Sequence, residues 1–297
     1  MKRQLPMPWR PILSRCAAFL ALLLLLLNLL LSLSKGKEGS PYCYIFALDV
    51  GQSDATLLMA GEQVMLIDCG SAAACQSLTY ELARYGIDKI DVLLLTHPHE
   101  DHIGNARYLL HNGYVEQVLL PAVTSTEPTW QLLLADLGER AVFLETGDSF
   151  SLGSASFQVL SVGTEMGKDA ENNASAVLRG TFGEMRFLFM GDAGADVEAQ
   201  LLAQYGEDYL NCDYLKIGHH GSNTATTMAF LLATTPTAVS ISCGRANSFG
   251  FPSERVLADL NALGVHVART DLEGTVVFGT DGRELRRISN EEGGLGK

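Results

Sequence analysis

Thr96-His97-Pro98-His99-Glu100-Asp101-His102 follows directly on the apolar run Val92-Leu93-Leu94-Leu95. A buried strand that ends in H-x-H-x-D-H delivers three imidazoles and a carboxylate from one short segment. His97 and His99 alternate and point to one side. Asp101 and His102 follow after a turn and point to another, so one segment serves two adjacent metal ions. Divalent ions such as zinc take imidazole nitrogen and carboxylate oxygen, and a catalytic site keeps one position open for water. The chain has only 7 histidines in 297 residues, three of them here, and a chance surface cluster does not account for that.

The length admits one large domain or two small ones. Hydrophobic residues make up 47% of the chain, enough for a folded core and against disorder. No internal repeat appears outside the N-terminus, and no linker-like stretch divides residues 42–290, which read as one catalytic domain spanning 41–290 with a tail at 291–297. Residues 1–37 carry six Lys/Arg and no Asp/Glu, which leaves 15 basic against 34 acidic side chains for the body. Such a body is soluble and repels polyanions at long range, so a nucleic-acid substrate needs metal ions or a local basic patch.

Residues 16–33 are almost pure Leu and Ala, interrupted by Asn28 and preceded by Lys2, Arg3, Arg10 and Arg15. Eighteen such residues just span a bilayer. No A-x-A-like cleavage site follows, so an uncleaved signal anchor is preferred to a cleaved signal peptide. The basic start stays in the cytoplasm and the rest lies outside. Residues 1–40 are thus a basic start, a transmembrane helix and a linker. The five cysteines of the body form no C-x-x-C pair. They read mainly as buried thiols, with Cys69 and Cys75 close enough to bridge.

Along the body, strands are expected at Tyr42–Asp49, Thr56–Ala60, Gln63–Asp68, Ile90–Thr96, Val115–Leu120, Ala141–Leu144, Phe157–Val162, Ala176–Thr181, Met185–Met190, Tyr214–Ile217, Ala238–Ser242 and Val265–Ala268, with a final hairpin around Asp281-Gly282. Helical spacing falls at Ser77–Tyr85, Asn105–His111, Thr129–Leu137, Ala195–Tyr205, Met228–Thr234 and Ser253–Leu263. Two sheets packed face to face with helices outside fit this mixture.

Other candidates lie at strand ends. Asp192 closes Met190-Gly-Asp and is either a turn residue or a carboxylate bridging two metals. His219 and His220 end the strand from Tyr214. Adjacent histidines in an extended segment do not face one metal together, so His219 is expected to ligate and His220 to face substrate. Asp68 is placed to orient a histidine from behind. Asp49, Gln52 and Asp54 occupy a Gly-containing loop after the first strand. Asn172 and Asn173 read by default as turn residues. Lys216 and Ser222, with His220, are candidates for holding a phosphate. His111 and His266 receive no role.

Taken together, H-x-H-x-D-H, Asp192 and a later strand-end histidine resemble the metallo-β-lactamase superfamily. Asp49-Val-Gly-Gln-Ser-Asp-Ala, Leu66-Ile-Asp-Cys-Gly, Glu171-Asn-Asn-Ala-Ser, Leu215-Lys-Ile-Gly-His-His-Gly-Ser and Phe249-Gly-Phe-Pro-Ser narrow the resemblance to the metallo-hydrolase domain of ComEC-type competence proteins, over roughly residues 42–280. The resemblance implies a four-layer αββα sandwich with two divalent ions, zinc or manganese favoured. It assigns His97 and His99 to one ion, Asp101 and His102 to the other, Asp192 as the bridge and His219 as the last ligand. Asn172 and Asn173 stand where many superfamily members have a further histidine, which leaves the His97/His99 ion under-coordinated. Ser53 replaces a usual Gly and Phe251 a common His.

The implied chemistry is attack by metal-activated water, with Asp101 and His220 as catalytic groups. The resemblance favours a phosphodiester substrate, single-stranded DNA included, and partners in DNA uptake. A lactam, lactone, thioester or phosphocholine-ester hydrolase and a non-catalytic DNA-uptake accessory protein are the alternatives.

Overall fold

Cys43-Tyr-Ile-Phe-Ala is apolar on both faces, and such a strand needs cover on each side. The computed structural model, which describes residues 42–164, 167 and 169–289, supplies both covers. The strands are β1 (Cys43–Ala47), β2 (Thr56–Ala60), β3 (Gln63–Ile67), β4 (Ile90–Leu94), β5 (Val115–Pro121), β6 (Ala141–Leu144), β7 (Ser149–Leu152), β8 (Ala155–Ser161), β9 (Val177–Phe182), β10 (Met185–Phe189), β11 (Tyr214–Lys216), β12 (Ala238–Ile241), β13 (His266–Arg269), β14 (Val276–Thr280) and β15 (Leu285–Ile288). One sheet has the order β15-β14-β1-β2-β3-β4-β5-β6, the other β13-β12-β11-β10-β9-β8-β7.

Strand periodicity sorts the side chains between layers. Ile45, Leu58 and Met65 meet Phe157, Phe187, Phe189 and Tyr214 between the sheets. The alternate residues Phe46, Leu57 and Leu66 lie in a second cluster, with Leu78 and Leu82 of helix Cys75–Arg84 and Trp130 of helix Pro128–Leu137. On the far side, Leu188, Leu215 and Val239 pack with residues of helices Ala195–Tyr205, Met228–Thr234 and Glu254–Ala262. Each fully buried Leu or Phe is worth about 1.5–3 kcal/mol relative to exposure. The result is two sheets flanked by helices, the architecture expected from the sequence.

Strand direction then fixes where chemistry collects. β3, β4 and β5 are parallel, and the antiparallel meander β1-β2-β3 makes β1 run the same way. In the second sheet β10, β11 and β12 are parallel, while β9 opposes β10. The carboxyl ends of β1, β3 and β4 therefore share an edge, as do those of β10, β11 and β12 with the start of β9. The Ala176 amide donates to the Thr96 carbonyl at 2.9 Å and ties the two edges together. Loops at this seam carry the candidate site residues.

Most strands lie within one or two residues of the expected positions. β7 was not expected: Ser149-Phe-Ser-Leu offers only two apolar residues, and pairing with β8 rather than propensity makes it a strand. The His-rich segment is not all loop, because Glu100–Ile103 forms one helical turn. The signal anchor read at residues 16–33 and the segments 1–40 and 291–297 lie outside the described residues.

Cys69 and Cys75 do not bridge: all five described cysteines are free. Burial pushes the Cys43 thiol up to about 12 and the Cys69 thiol well above its ordinary value. Burial likewise raises Cys212 and, helped by the Asp271 carboxylate, takes Cys243 to about 12. Thiolate is the reactive species. At pH 8 a maleimide is expected to label Cys75, the half-buried one, while Cys43, Cys69, Cys212 and Cys243 resist until the protein is unfolded, as located by peptide mass mapping. A Cys69–Cys75 bridged peptide would contradict the structure.

Candidate metal centre

The turn after β4 places His97 and His102 at the bottom of the seam, both fully buried, and leaves His99 and Asp101 nearer the mouth. Asp192, 2% exposed, enters from the end of β10. Its carboxylate is surrounded by imidazoles: Oδ1 lies 3.3 Å from His102 Nε2, and Oδ2 lies 3.7 Å from His220 Nε2, 3.8 Å from His219 Nε2 and 4.0 Å from His97 Nε2. Asp101 Oδ2 is 3.3 Å from His220 Nε2 and 4.0 Å from His102 Nε2. Among the described residues three donor groups overlap at His102, of which His97/His102/Asp192 and Asp101/His102/His220 face the seam and Asp54/Asp68/His102 lies behind it.

The outer nitrogen of three rings is tied to the protein, which fixes the inner one. His102 Nδ1 donates to Asp68 Oδ2 at 2.7 Å. His220 Nδ1 donates to the Ser242 carbonyl at 2.9 Å. Thr96 Oγ1 gives its own proton to Asp68 Oδ2 and accepts from His97 Nδ1 at 3.0 Å. Nε2 of each ring is thereby left facing inward, the orientation that metal-binding histidines adopt. His102 Nε2, His220 Nε2 and Asp192 Oδ1 are buried and have no hydrogen-bond partner. His102 Nε2 lies 3.3 Å from Asp192 Oδ1 and His220 Nε2 lies 3.7 Å from Asp192 Oδ2, yet neither contact completes a hydrogen bond. Unpaired buried polar atoms cost about 1–3 kcal/mol each, and a cation satisfies all three at once. The residues fit divalent ions.

The electrostatics agree. Burial disfavours a charged His102, yet the Asp192 and Asp68 carboxylates outweigh it and hold its pKa well above the usual imidazole value. Burial also opposes ionisation of Asp192, but His102 and His220 keep it ionised well below the usual carboxylate range. Burial, followed by the neighbouring His102, drives His97 well below its ordinary value. A field that retains a proton on a buried imidazole also favours a cation.

Several expectations need correction. His219 and His220 are not in an extended segment. Both have left-handed backbone, φ 50° and 52°, and this corner lets adjacent rings face one centre. His220 is the one brought to Asp101 and His102, whereas His219, 17% exposed, lines the mouth with Nδ1 3.1 Å from Thr224 Oγ1. Lys216 does not reach the cleft: it is buried, and its ammonium pairs with Asp54 Oδ2 at 2.5 Å. Ser222 hydrogen-bonds Thr224 instead of presenting a free hydroxyl. Asp49 shapes its own loop, accepting from the Gly51 amide. Gln52 lines the cleft and accepts from the Gly244 amide. Asn173 accepts from the Gly194 amide. Asn172 lines the cleft, and its buried Oδ1 has no partner.

Sequence reasoning missed Glu171, which accepts from His99 Nε2 at 3.1 Å while Ser125 donates to its other oxygen. It also missed Thr96 and Ser175, whose hydroxyls set His97 and the Asp192 amide. All three lie inside the quoted motifs, so proximity to a ligand was the available signal.

The chain matches the metallo-beta-lactamase superfamily over residues 48–245. It is 30% identical over 252 residues to ComE operon protein 3 of Bacillus subtilis (strain 168), covering 78% of this chain and 32% of that protein. It is 29% identical over 238 residues to Competence protein ComA of Neisseria gonorrhoeae, covering 78% and 31%. The chain thus spans about a third of the length of these relatives. Among solved structures, the metallo-beta-lactamase fold protein YhfI from Bacillus subtilis superposes with a TM-score of 0.56 at 12% identity, covering 80% of this chain and 100% of that one, a likeness of fold.

Asp68→Asn removes the acceptor for His102 Nδ1 while keeping the shape. Metal affinity, titrated against a chromophoric chelator, is expected to fall about 10- to 100-fold. Gly104→Ala would place a Cβ 2.2 Å from the Ala72 amide nitrogen and 2.6 Å from the Ser71 carbonyl carbon, backbone that cannot yield. Chemical denaturation should show a loss of roughly 3 kcal/mol or more. A wild-type midpoint in that variant would refute the packing.

Proposed function

The chain belongs to the metallo-beta-lactamase superfamily, and we propose that it is a metal-dependent hydrolase of phosphodiesters, single-stranded DNA among them. The carrying observation is the convergence of three tautomer-fixed imidazoles on the Asp192 carboxylate, with His102 Nε2, His220 Nε2 and Asp192 Oδ1 buried and unpaired. His97 and His99 would hold one ion, Asp101, His102 and His220 the other, with Asp192 between them. Asn172 Oδ1, buried and unpaired in the cleft, would offer the first ion an oxygen where other members supply imidazole, which would favour ions tolerant of oxygen, manganese as well as zinc. Ions bound there supply Lewis acidity, lower the pKa of water and stabilise negative charge developing on the substrate.

The chain's own groups do the rest. Asp68, Thr96 and the Ser242 carbonyl keep the imidazoles in one tautomer, so no reorganisation is needed as charge develops. Asp101 faces both the cleft and His220, where it can orient the attacking water. His219 at the mouth, positioned by Thr224, can return a proton to the leaving oxygen. The phosphodiester class is supported by similarity to competence proteins, whose names also support a role in DNA uptake. Residues 16–33 support anchoring with the hydrolase outside the membrane.

Chelator-stripped and manganese- or zinc-loaded protein, assayed on bis-p-nitrophenyl phosphate, single-stranded DNA and nitrocefin, tests the reading. Metal-dependent cleavage of the two phosphodiesters is expected, reduced at least about a hundredfold by Asp192→Ala and His102→Ala. Turnover of nitrocefin alone, or phosphodiester turnover unaffected by chelation, would overturn it.

A further inference from the structure

One wall of the cleft is aromatic. Phe251 lies parallel to His220, with ring planes 17° apart and centroids 6.4 Å apart, and Phe249 lies parallel to Phe251 at 18° and 5.5 Å. His220, Phe251 and Phe249 form a ladder of near-parallel planes running from the metal centre outward. Phe249 is 66% exposed and lines the cleft. A lone exposed Phe needs no explanation. This one is held in place: Asn247 Oδ1 accepts from the Phe249 and Phe251 amides, and its Nδ2 donates to the Gly244 and Phe251 carbonyls. Both ends of the loop are tied to the site as well. The Gly244 amide donates to Gln52, and the Ser253 amide donates to the Gly221 carbonyl of the His219-His220 corner.

From this we infer that Phe249 and Phe251 are a stacking platform for the nucleobase next to the scissile phosphate, which makes the substrate a nucleotide-bearing phosphodiester. The inference rests on the phosphodiesterase reading and adds how the substrate is recognised. The charge pattern supports it. The described residues lining the cleft include Glu100, Asp101 and Asp192 but no Lys or Arg, in a chain of net charge −13. Coulomb attraction from side chains therefore does not recruit a polyanion, and stacking is the remaining source of affinity beside the ions. The cleft volume of about 410 Å³ falls in the range of small-ligand sites, enough for a nucleotide rather than a duplex. Phe has no hydrogen-bonding group, so the platform reads a base by its face and tolerates any sequence. An aliphatic ligand would bury area on Phe249 but would draw no added benefit from the parallel alignment of the planes.

The test compares two esters with the same leaving group, thymidine 5′-(p-nitrophenyl phosphate) and methyl p-nitrophenyl phosphate, on the metal-loaded full chain. The ratio of their kcat/KM values isolates the nucleoside, because any contact of the nitrophenyl ring cancels. Wild type should favour the nucleoside ester. Phe249→Ala and Phe249→Leu should each lower the ratio about tenfold, while Phe249→Trp preserves it. Leu keeps the apolar area but loses the plane, so a merely structural role would not separate Leu from Trp. A ratio unchanged in Phe249→Ala and in Phe251→Leu overturns the platform while leaving the hydrolase reading intact. If neither ester is cleaved, the phosphodiesterase reading fails, and calorimetric titration with the tetranucleotide (dT)4 decides the platform alone. Binding weakened about tenfold by Phe249→Ala upholds it, and unchanged or absent binding overturns it.

Discussion

The Asp68 carboxylate is the contact on which the centre depends. It is buried at the end of β3 in left-handed backbone, φ 59°, and accepts from the Thr96 amide, the Thr96 hydroxyl and His102 Nδ1. Its own amide donates to the Leu94 carbonyl. One side chain thereby fixes the exit of β4, the tautomer of His102 and, through Thr96, that of His97. Burial raises the pKa of Asp68, and the paired His102 works against that rise. Few rotamer choices remain once these bonds form, which is how a site stays within the tolerance that metal chemistry demands.

How much of this was legible follows from how local each feature is. The H-x-H-x-D-H cluster could be read because four donors share six residues, and Asp192 because it ends an apolar strand. Two packed sheets with helices outside were legible in the strand and helix periods, and the resemblance supplied the four-layer αββα order. That His219 and His220 both face Asp192 was not legible, because it depends on two consecutive left-handed residues, a conformation that non-glycine side chains disfavour and that spacing does not reveal. Lys216 was misread because its partner Asp54 is 162 residues away in the chain. Glu171 was quoted within a motif yet given no role, since its contact with His99 spans the seam.

Departures from the resemblance also gain a physical meaning. Ser53 is buried, and its hydroxyl accepts from the Ser71 amide, joining the loop after β1 to the loop after β3. Phe251 carries no proton to transfer, but it packs edge-on against His219 and face-on against His220.

The seam between the sheets has one more consequence. His97, His99, Asp101 and His102 follow β4 of the eight-stranded sheet, while Asp192 follows β10 and His220 follows β11 of the seven-stranded one. An ion held by both His102 and Asp192 would therefore cross-link the two halves of the sandwich, closing a loop of about 90 residues whose ends are entropically costly to bring together. On the proposed reading, metal supply would add to the apolar core in holding the halves together, and would lengthen the folded chain's survival against proteases as well as enable turnover.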